Sequence, residues 1–256
     1  MRQILISEFE RIFNRKKTKV LIVIFGLLLI LHSVWVHTFG VAIYDTKGTE
    51  AILSNLNFPV AVTREWYFTL FLLIFPILFI DSFNGEISSG AYRLVMIRPV
   101  GRWELLLAKW ITQMSIVSLF LLMAFIESYI YGTFFIRRAE ETFFLDKQVI
   151  YSANASILYT VKYYLILWFI ASALTMLSSF VSLWFQNAII TYFVIVGLLV
   201  ASLYVNEELS YFVIGSGSIL RILSEGKGTF YLINGTILGG CAIAAMFSWC
   251  KKDIFN

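Results

Sequence analysis

The sequence predicts an all-α polytopic membrane protein with six transmembrane helices in a single domain, residues 1–256. Two observations lead to this fold class. Hydrophobic residues make up 59% of the chain and charged residues only 14%, whereas soluble domains contain about 45–50% apolar residues. The apolar residues also fall in long blocks, and a helix of about 20 residues crosses the ~30 Å hydrocarbon layer of a bilayer. Both observations disfavour a soluble fold.

The N terminus, residues 1–19, is predicted to be an amphipathic helix at the membrane interface. Its apolar side chains recur with helical spacing and form one stripe, which consists of Leu5, Phe9, Ile12 and Phe13. Such a helix lies in the plane of the interface, with the basic residues of 15–19 at the lipid headgroups. A basic flank to the first span, without a helix of its own, is the alternative.

Six apolar segments are predicted to span the membrane, namely 20–39, 66–83, 110–136, 163–185, 188–205 and 231–249. The first segment is longer than the apolar region of a signal peptide, about 7–15 residues, and no small-residue cleavage site follows it. It is therefore interpreted as a retained helix. The second segment contains Pro76, which a membrane helix tolerates where a neighbour satisfies the carbonyl group that the proline frees.

Basic residues predict the side of the membrane that each loop occupies, because short loops rich in Lys and Arg stay in the cytoplasm. Twelve of the 20 Lys and Arg residues lie in the segments 1–19, 81–109 and 251–252. The loops on the opposite side carry eight basic and nine acidic residues. Both termini and the segment 81–109 are therefore expected to be cytoplasmic. The net charge of +4 is a topology signal, and no nucleic acid partner is expected.

The segment 81–109 is a polar interruption between two apolar spans. Its apolar residues repeat with helical spacing, at Ile87, Ala91, Leu94 and Val95. The helix is expected to end near Arg98, because a proline such as Pro99 disfavours helical geometry at the residue before it. A second helix is predicted to begin near Gly101 and to continue into the third span. An element of this kind suits transmission of a push from a cytoplasmic partner.

The order of residues in this segment resembles the first cytoplasmic loop of ABC type-2 permeases, the membrane subunits of many ATP-driven exporters. The residues that carry the resemblance are Glu86, Gly90, Arg93-Leu94, Arg98-Pro99-Val100, Arg102 and Lys109. Six spans, an interfacial "elbow" helix at the N terminus and the tail Lys251-Lys252-Asp253-Ile254 agree with it. The resemblance implies that Glu86 to Arg98 is a coupling helix. The residues expected to dock on a nucleotide-binding subunit are Glu86, Gly90, Arg93, Leu94, Arg98, Pro99 and Arg102.

The same resemblance implies partners, location and substrate class. The expected partners are a cytoplasmic ABC ATPase, in two copies, and a second permease subunit that forms a homodimer or heterodimer with this chain. ATP and Mg²⁺ would bind to the ATPase, and no cofactor is expected on this chain. The expected location is the bacterial cell membrane. Small subunits of this family often serve antimicrobial-peptide export or immunity, so a peptide, an antibiotic or another lipophilic compound is the expected substrate.

The chain is expected to be a membrane subunit and not an enzyme. A phosphate-binding loop requires Gly-x-x-x-x-Gly-Lys-Ser/Thr, and the nearest candidate, Gly226-Lys227, is followed by Gly228. An ion-coupled secondary transporter would lack this loop as well and is the first alternative, although it would normally carry several intramembrane charges. An intramembrane enzyme is the second alternative, and it is weakened by the shortage of metal ligands within the predicted spans.

Glu127 lies inside the predicted third span, where a carboxylate is costly and indicates function by default. Lys162, near the start of the antiparallel fourth span, is its expected partner. Glu127 is a candidate for the substrate path, and the alternatives are a structural ion pair or a protonated acid in a helix contact. His32 and His37 point about 140° apart around the first span and are not expected to share a metal ion.

Glycines and other small residues predict two further features. The pairs spaced for close helix contacts are Gly235 with Gly239 and Gly197 with Ala201. The outer loop 206–228 carries two apolar runs around Gly215 and Gly217, a composition that suits a short re-entrant or interfacial hairpin.

Overall fold

The computed structural model describes residues 2–43, 50–88, 101–185, 187–205 and 207–251. Six helices in it are long and apolar enough to cross a membrane, and we call them spans 1 to 6: Lys16–Phe39, Phe58–Gly85, Arg102–Phe135, Ala153–Trp184, Ala188–Val205 and Gly228–Cys250. A helix that could cross a membrane is thus present at each of the six predicted spans. Spans 2, 3 and 4 begin eight to ten residues before the predicted residues 66, 110 and 163. Hydropathy marks only the apolar part of a helix that continues beyond it.

A separate helix, Arg2–Asn14, precedes span 1 and packs against span 3. Arg15 has an extended backbone (φ −67°, ψ 128°), which separates this helix from span 1. Ile12 is buried in the core of the bundle. The helix predicted for the N terminus is therefore present, and its position at a membrane interface stays a prediction.

Span 2 is built from three helical pieces that follow one another directly. Phe58–Phe68 is α-helical, Thr69–Ile74 is a π-helical turn, and Phe75–Ser88 is α-helical again. Pro76 comes just after the π-helical turn and has no N–H group to donate to a carbonyl of the preceding turn. The carbonyl of Leu72 instead accepts a hydrogen bond from the hydroxyl of Tyr192 in span 5, at 3.1 Å. A neighbouring span thus satisfies the backbone group next to the proline, as the sequence predicts.

Two antiparallel hairpins lie at the end of the bundle where spans 1 and 3 finish, which we call the hairpin end. Val41–Ile43 pairs with Glu50–Ile52 in the register Val41 to Ile52, and Glu141–Thr142 pairs with Tyr151–Ser152 in the register Glu141 to Ser152. These strands contain two or three residues each, too few for the alternation that identifies a strand in a sequence. The opposite end, with the N-terminal helix and residues 81–88 and 101–109, is called the basic end.

A helical unit closes the hairpin end between spans 5 and 6. It consists of a 3₁₀ turn, Glu207–Phe212, and the helix Gly215–Glu225. Gly215 packs so closely on the ring of Tyr67 in span 2 that a Cβ atom at this position would overlap it. The fully buried Tyr67 donates its hydroxyl hydrogen bond to the carbonyl of Tyr211. The predicted structure in the outer loop 206–228 therefore takes the form of a helix anchored on span 2.

Spans 2, 3 and 4 form the centre of the bundle, and spans 1, 5 and 6 lie at its periphery. In the most apolar stretch of each span, 72%, 61% and 67% of the residues of spans 2, 3 and 4 are buried, against 22%, 22% and 17% for spans 1, 5 and 6. The centre is rich in fully buried aromatic side chains, among them Trp66, Phe71 and Phe120. Large apolar side chains of the peripheral spans, such as Leu27 and Phe193, are exposed and would face lipid or another subunit.

Candidate functional site

The structure describes the two ends of the segment 81–109 and not its middle. Glu86 lies near the end of the helix Phe75–Ser88, and its side chain is outside the described part. Five predicted coupling residues fall outside the described residues: Gly90, Arg93, Leu94, Arg98 and Pro99. The coupling helix between Glu86 and Arg98 therefore stays a prediction. Arg102 is the first residue of span 3. The two described ends, residues 81–88 and 101–109, are called the loop base.

Asp81 is the residue at which span 2 is tied to the start of span 1. Its Oδ2 atom accepts a hydrogen bond from Nη1 of Arg15 at 2.8 Å, and its backbone carbonyl accepts from the same nitrogen at 2.9 Å. The Oδ1 atom lies 3.0 Å from Nζ of Lys17. The side chains of Arg15 and Asp81 are each only 22% exposed, so solvent screens this ion pair less than it screens a pair on an open surface.

Lys109 ties the other end of the loop base to the N-terminal helix. Its ammonium donates to the carbonyl of Ser82 at 3.3 Å and lies 3.6 Å from Oε2 of Glu8, which also pairs with Arg11. Lys109 is predicted to face the cytoplasm with the other charges of its segment, but its side chain is only 2% exposed. The N-terminal helix covers it. A buried ammonium is tolerated only when such partners compensate for its lost hydration.

The last turn of span 6 contacts the loop base. Nη1 of Arg102 donates to the carbonyl of Cys250 at 3.2 Å, and the indole nitrogen of Trp249 donates to the carbonyl of Arg102 at 3.0 Å. Trp249 is almost completely buried against the same small apolar cluster as Leu106 and Trp110. The beginning of span 3 is therefore held directly by span 6.

Asn84 connects the loop base to spans 4 and 5. Its Nδ2 atom donates to the carbonyl of Phe185, just after span 4, at 2.8 Å, and to Oγ1 of Thr191 in span 5 at 2.7 Å. Asn84 is fully buried. Together with the contacts of Asp81, Lys109 and Arg102, these hydrogen bonds join the loop base to the N-terminal helix and to every other span of the bundle.

These connections are not among those predicted from the sequence. The basic residues of 15–19 are predicted to lie at lipid headgroups, whereas Arg15 and Lys17 bind Asp81. A usable signal was present: the topology predicted from basic residues puts the start of span 1 and the end of span 2 on the same side. An acidic residue at one of these ends and basic residues at the other are then expected to pair.

Glu127 contacts span 1 and not the predicted lysine. Its Oε2 atom accepts a hydrogen bond from the hydroxyl of Ser33 at 3.1 Å. Within the described residues no ion pair joins Glu127 to Lys162, so this predicted partner is wrong. Lys162 is exposed on the outer surface of span 4, while Glu127 is turned towards span 1.

A second polar pair lies one helical turn further towards the hairpin end. Nδ1 of His37 is 3.2 Å from the hydroxyl of Tyr131. His37 follows Ser33 by four residues, so both lie on one face of span 1. Tyr131 follows Glu127 by four residues, so both lie on one face of span 3. The two pairs form a polar ladder between spans 1 and 3. His32, in contrast, contacts the carbonyl of Leu28 in its own helix through Nδ1, at 2.6 Å.

The glycines of the two predicted contact pairs do not mark close helix contacts within the described part of the chain. A Cβ atom built at Gly197, Gly235 or Gly239 would meet no heavy atom within 4 Å. These three positions are therefore open among the described residues. In the described part of the chain, moreover, no three residues of the types His, Cys, Asp and Glu are grouped so that they could hold a metal ion.

No protein-family model matches the sequence, and a search of curated proteins finds no match.

Proposed function

We propose that this chain is the permease subunit of an ABC exporter of the type-2 class, a membrane subunit that couples ATP hydrolysis by a separate nucleotide-binding subunit to export. The cargo is a peptide, an antibiotic or another lipophilic substrate. In this proposal the chain lies in the bacterial cell membrane with both termini and the segment 81–109 in the cytoplasm. Two copies of the ATPase, carrying ATP and Mg²⁺, dock on that segment.

The observation that carries this proposal is the anchoring of both ends of the loop base. A segment that only connects two spans needs no contacts of its own, whereas this one is held at Asp81 by Arg15 and at Lys109 by Glu8. Hydrogen bonds from Arg102 and Asn84 connect the loop base to spans 4, 5 and 6 as well. A displacement of the loop would therefore reach the whole bundle through contacts that shift together.

This arrangement suits a two-state mechanism. ATP-driven closure of the two partner subunits would supply the differential binding energy at the loop, and the bundle would change between inward-open and outward-open states. The buried ion pair of Glu8 with Lys109 favours movement of the N-terminal helix together with the loop base, because separating two buried charges is costly.

A second permease subunit, identical or different, completes the assembly in this proposal. Support comes from the peripheral spans, which expose large apolar side chains and open faces around Gly197, Gly235 and Gly239. Small residues permit close approach between membrane helices. The remaining exposed apolar surface would contact the bilayer.

Copurification tests the proposal. The tagged full chain is extracted from bacterial membranes and purified together with the proteins bound to it. The purified fraction is assayed for Mg²⁺-dependent ATP hydrolysis and for a soluble chain with a phosphate-binding loop. We expect wild-type protein and the hairpin-end control Arg138→Ala to retain the ATPase. Glu86→Ala with Arg93→Ala should lose it while still inserting into the membrane. Equal recovery of the ATPase with both variants would exclude 81–109 as its docking site.

An ion-coupled carrier is the second candidate, because Glu127 places a carboxyl group inside span 3 next to Ser33. A carrier would move protons without any ATPase. The full chain alone is reconstituted into vesicles that contain a pH-sensitive dye, and an imposed pH gradient is followed with and without candidate peptides. Dissipation of the gradient that is lost in Glu127→Gln would favour the carrier over the exporter subunit.

A further inference from the structure

A groove of about 440 Å³ lies between spans 3 and 4 and opens at the surface of the bundle. Leu122 of span 3 and Leu165 of span 4 line it and are 56% and 60% exposed, whereas Leu121 and Tyr164 are buried beneath it. Sites for small molecules typically enclose about 300–1,000 Å³. The groove contains none of the residues used in the proposed function.

The polar groups of the groove already have partners within the chain. The indole nitrogen of Trp168 donates to Oγ of Ser118 at 3.0 Å, and Ser118 donates to the carbonyl of Met114 at 2.8 Å. The hydroxyl of Tyr164 accepts a hydrogen bond from Thr63 at 3.3 Å. The described lining carries no charged side chain. The groove therefore favours an apolar occupant.

The position of the groove along span 4 places it in one leaflet of the bilayer. Span 4 carries no charged residue after Lys162, and residues 163–184 form an apolar stretch of ~33 Å, close to the ~30 Å of the hydrocarbon layer. The groove extends from Val161 to Trp168, which is ~10 Å along the helix. It is therefore expected to run from the edge of the hydrocarbon layer at the hairpin end towards its middle.

Lys162 lies where the groove meets the expected membrane surface. It follows Val161 directly and precedes Leu165 by three residues, so that it shares a helix face with Leu165. The Lys162 side chain is exposed. A lysine near the end of a membrane span extends its ammonium group to the headgroups while its methylene groups cover apolar surface.

The neighbouring carboxylates leave Lys162 available to an anion. Glu127, on the adjacent span 3, is bonded to Ser33 of span 1, and Glu225, just before span 6, pairs with Lys227 at 3.2 Å. In the part of the chain that the structure describes, Lys162 forms no ion pair. An anionic group can therefore approach its ammonium group without displacing an acidic side chain.

Apolar lining and a cation at its edge together match an anionic lipid. An apolar helix of a second copy, packed in the groove, would strip water from Lys162 and offer no charge in return, which is costly. A phospholipid can place an acyl chain in the groove while its phosphate stays hydrated beside the ammonium group.

We propose that the groove binds one acyl chain of an anionic phospholipid from the leaflet at the hairpin end, with the lipid phosphate next to Lys162. This assignment is independent of the proposed function.

Lipid retention by the full chain tests the proposal. The protein is reconstituted into nanodiscs of phosphatidylglycerol and phosphatidylcholine in equal amounts and extracted with detergent, and the lipids that remain bound are counted by native mass spectrometry. Leu165→Trp fills the groove, and its control is Leu27→Trp, at a position 64% exposed on span 1. Lys162→Gln removes the cation, and its control is Lys147→Gln, which removes an exposed charge outside the groove.

We expect the wild type to retain one phosphatidylglycerol molecule in preference to phosphatidylcholine and Leu165→Trp to lose it. Lys162→Gln should lower the preference for phosphatidylglycerol about fivefold, the contribution of one lysine near an anionic surface. Both controls should behave as the wild type. Lys162→Gln keeps the test decisive if Leu165→Trp folds poorly, because Lys162 is exposed. An unchanged preference in Lys162→Gln, or an equal loss in a control, would overturn the proposal.

Cross-linking tests the competing occupant, a second copy of the chain. Leu165→Cys, in a chain without the two native cysteines, is oxidised in native membranes and examined for disulfide-linked dimers. We expect monomers, because a lipid covers the groove. Efficient formation of dimers would assign the groove to a second copy and would overturn the lipid proposal.

Discussion

Arg15 binds two different acceptors of Asp81 with one nitrogen atom, because its Nη1 lies 2.8 Å from the carboxylate and 2.9 Å from the backbone carbonyl. Gly85, one turn further along the same helix, makes room for this arrangement. A Cβ atom at position 85 would lie 3.3 Å from Oδ1 of Asp81 and 3.9 Å from Nη1 of Arg15. The ion pair thus fixes the last turns of span 2 against the break between the N-terminal helix and span 1.

Asp81→Asn is expected to loosen this junction. The amide keeps the shape of the side chain but removes the charge that Arg15 and Lys17 share, and a hydrogen bond to a charged group is worth about 1.5–3 kcal/mol. We expect a lower midpoint of unfolding in detergent and faster proteolysis after Asn14. Lys17→Gln should change stability by less than about 1 kcal/mol, because the Lys17 side chain is 76% exposed.

A double-mutant cycle assigns the effect to the pair. Arg15→Gln combined with Asp81→Asn should cost less than the sum of the single changes, with a coupling energy of about 0.5–3 kcal/mol. Additive effects would show that Asp81 acts independently of Arg15.

For the buried pair of Glu8 and Lys109, we expect a second substitution to restore part of the stability that the first one removes. Lys109→Met leaves Glu8 buried with one partner fewer, and breaking a buried ion pair from one side costs about 3–5 kcal/mol. Replacing both residues with methionine removes the buried carboxylate as well. Arg11 then loses its contact with Glu8, but its side chain is 26% exposed and can be hydrated, so the double variant should be more stable than Lys109→Met alone. Unfolding in detergent measures both. A double variant that is no more stable than the single one would contradict a paired role for Glu8.

How much the sequence revealed depended on the range of the interactions concerned. Hydropathy and helical spacing are local properties, so they predicted all six spans and the N-terminal helix. The pairs Arg15 with Asp81, Glu8 with Lys109 and Ser33 with Glu127 join residues far apart in the chain. Which residues pair depends on how each helix is rotated about its axis. Hydropathy predicts where a span lies in the sequence but not this rotation. Lys162 was wrongly paired with Glu127 for this reason.

Tyr192→Phe is expected to destabilise span 2 at Pro76. The change removes only the hydroxyl that donates to the carbonyl of Leu72. Side-chain hydrogen bonds between membrane helices average about 0.6 kcal/mol and reach about 1.7 kcal/mol, and we expect a loss within this range in detergent unfolding. The loss should shrink when Pro76 is replaced by alanine, because the alanine N–H group can serve the freed carbonyls. An undiminished loss would mean that Tyr192 acts through packing alone.

Gly215→Ala is expected to disturb the helical unit at the hairpin end. The new methyl group would overlap the ring of Tyr67, which is fully buried and cannot move without breaking its hydrogen bond to Tyr211. Overpacking of this kind costs about 1–3 kcal/mol. Gly239→Ala is the matched control, since a Cβ atom at that position meets no heavy atom within 4 Å. Both variants are compared by thermal unfolding, and a neutral Gly215→Ala would show that the unit shifts freely on span 2.

Cys250 provides a direct test of the orientation on which the proposed function depends. It is exposed in the last turn of span 6, where its carbonyl accepts the hydrogen bond of Arg102. If the basic end is cytoplasmic, a membrane-impermeant maleimide should leave Cys250 unlabelled in intact cells and label it in inverted membrane vesicles. A Cys241→Ser background makes the labelling specific. Lys147→Cys, in a chain without the two native cysteines, is the control for the other side and should react in intact cells. Labelling of Cys250 from outside would put the loop base beyond the reach of a cytoplasmic ATPase and would remove the basis of the exporter proposal.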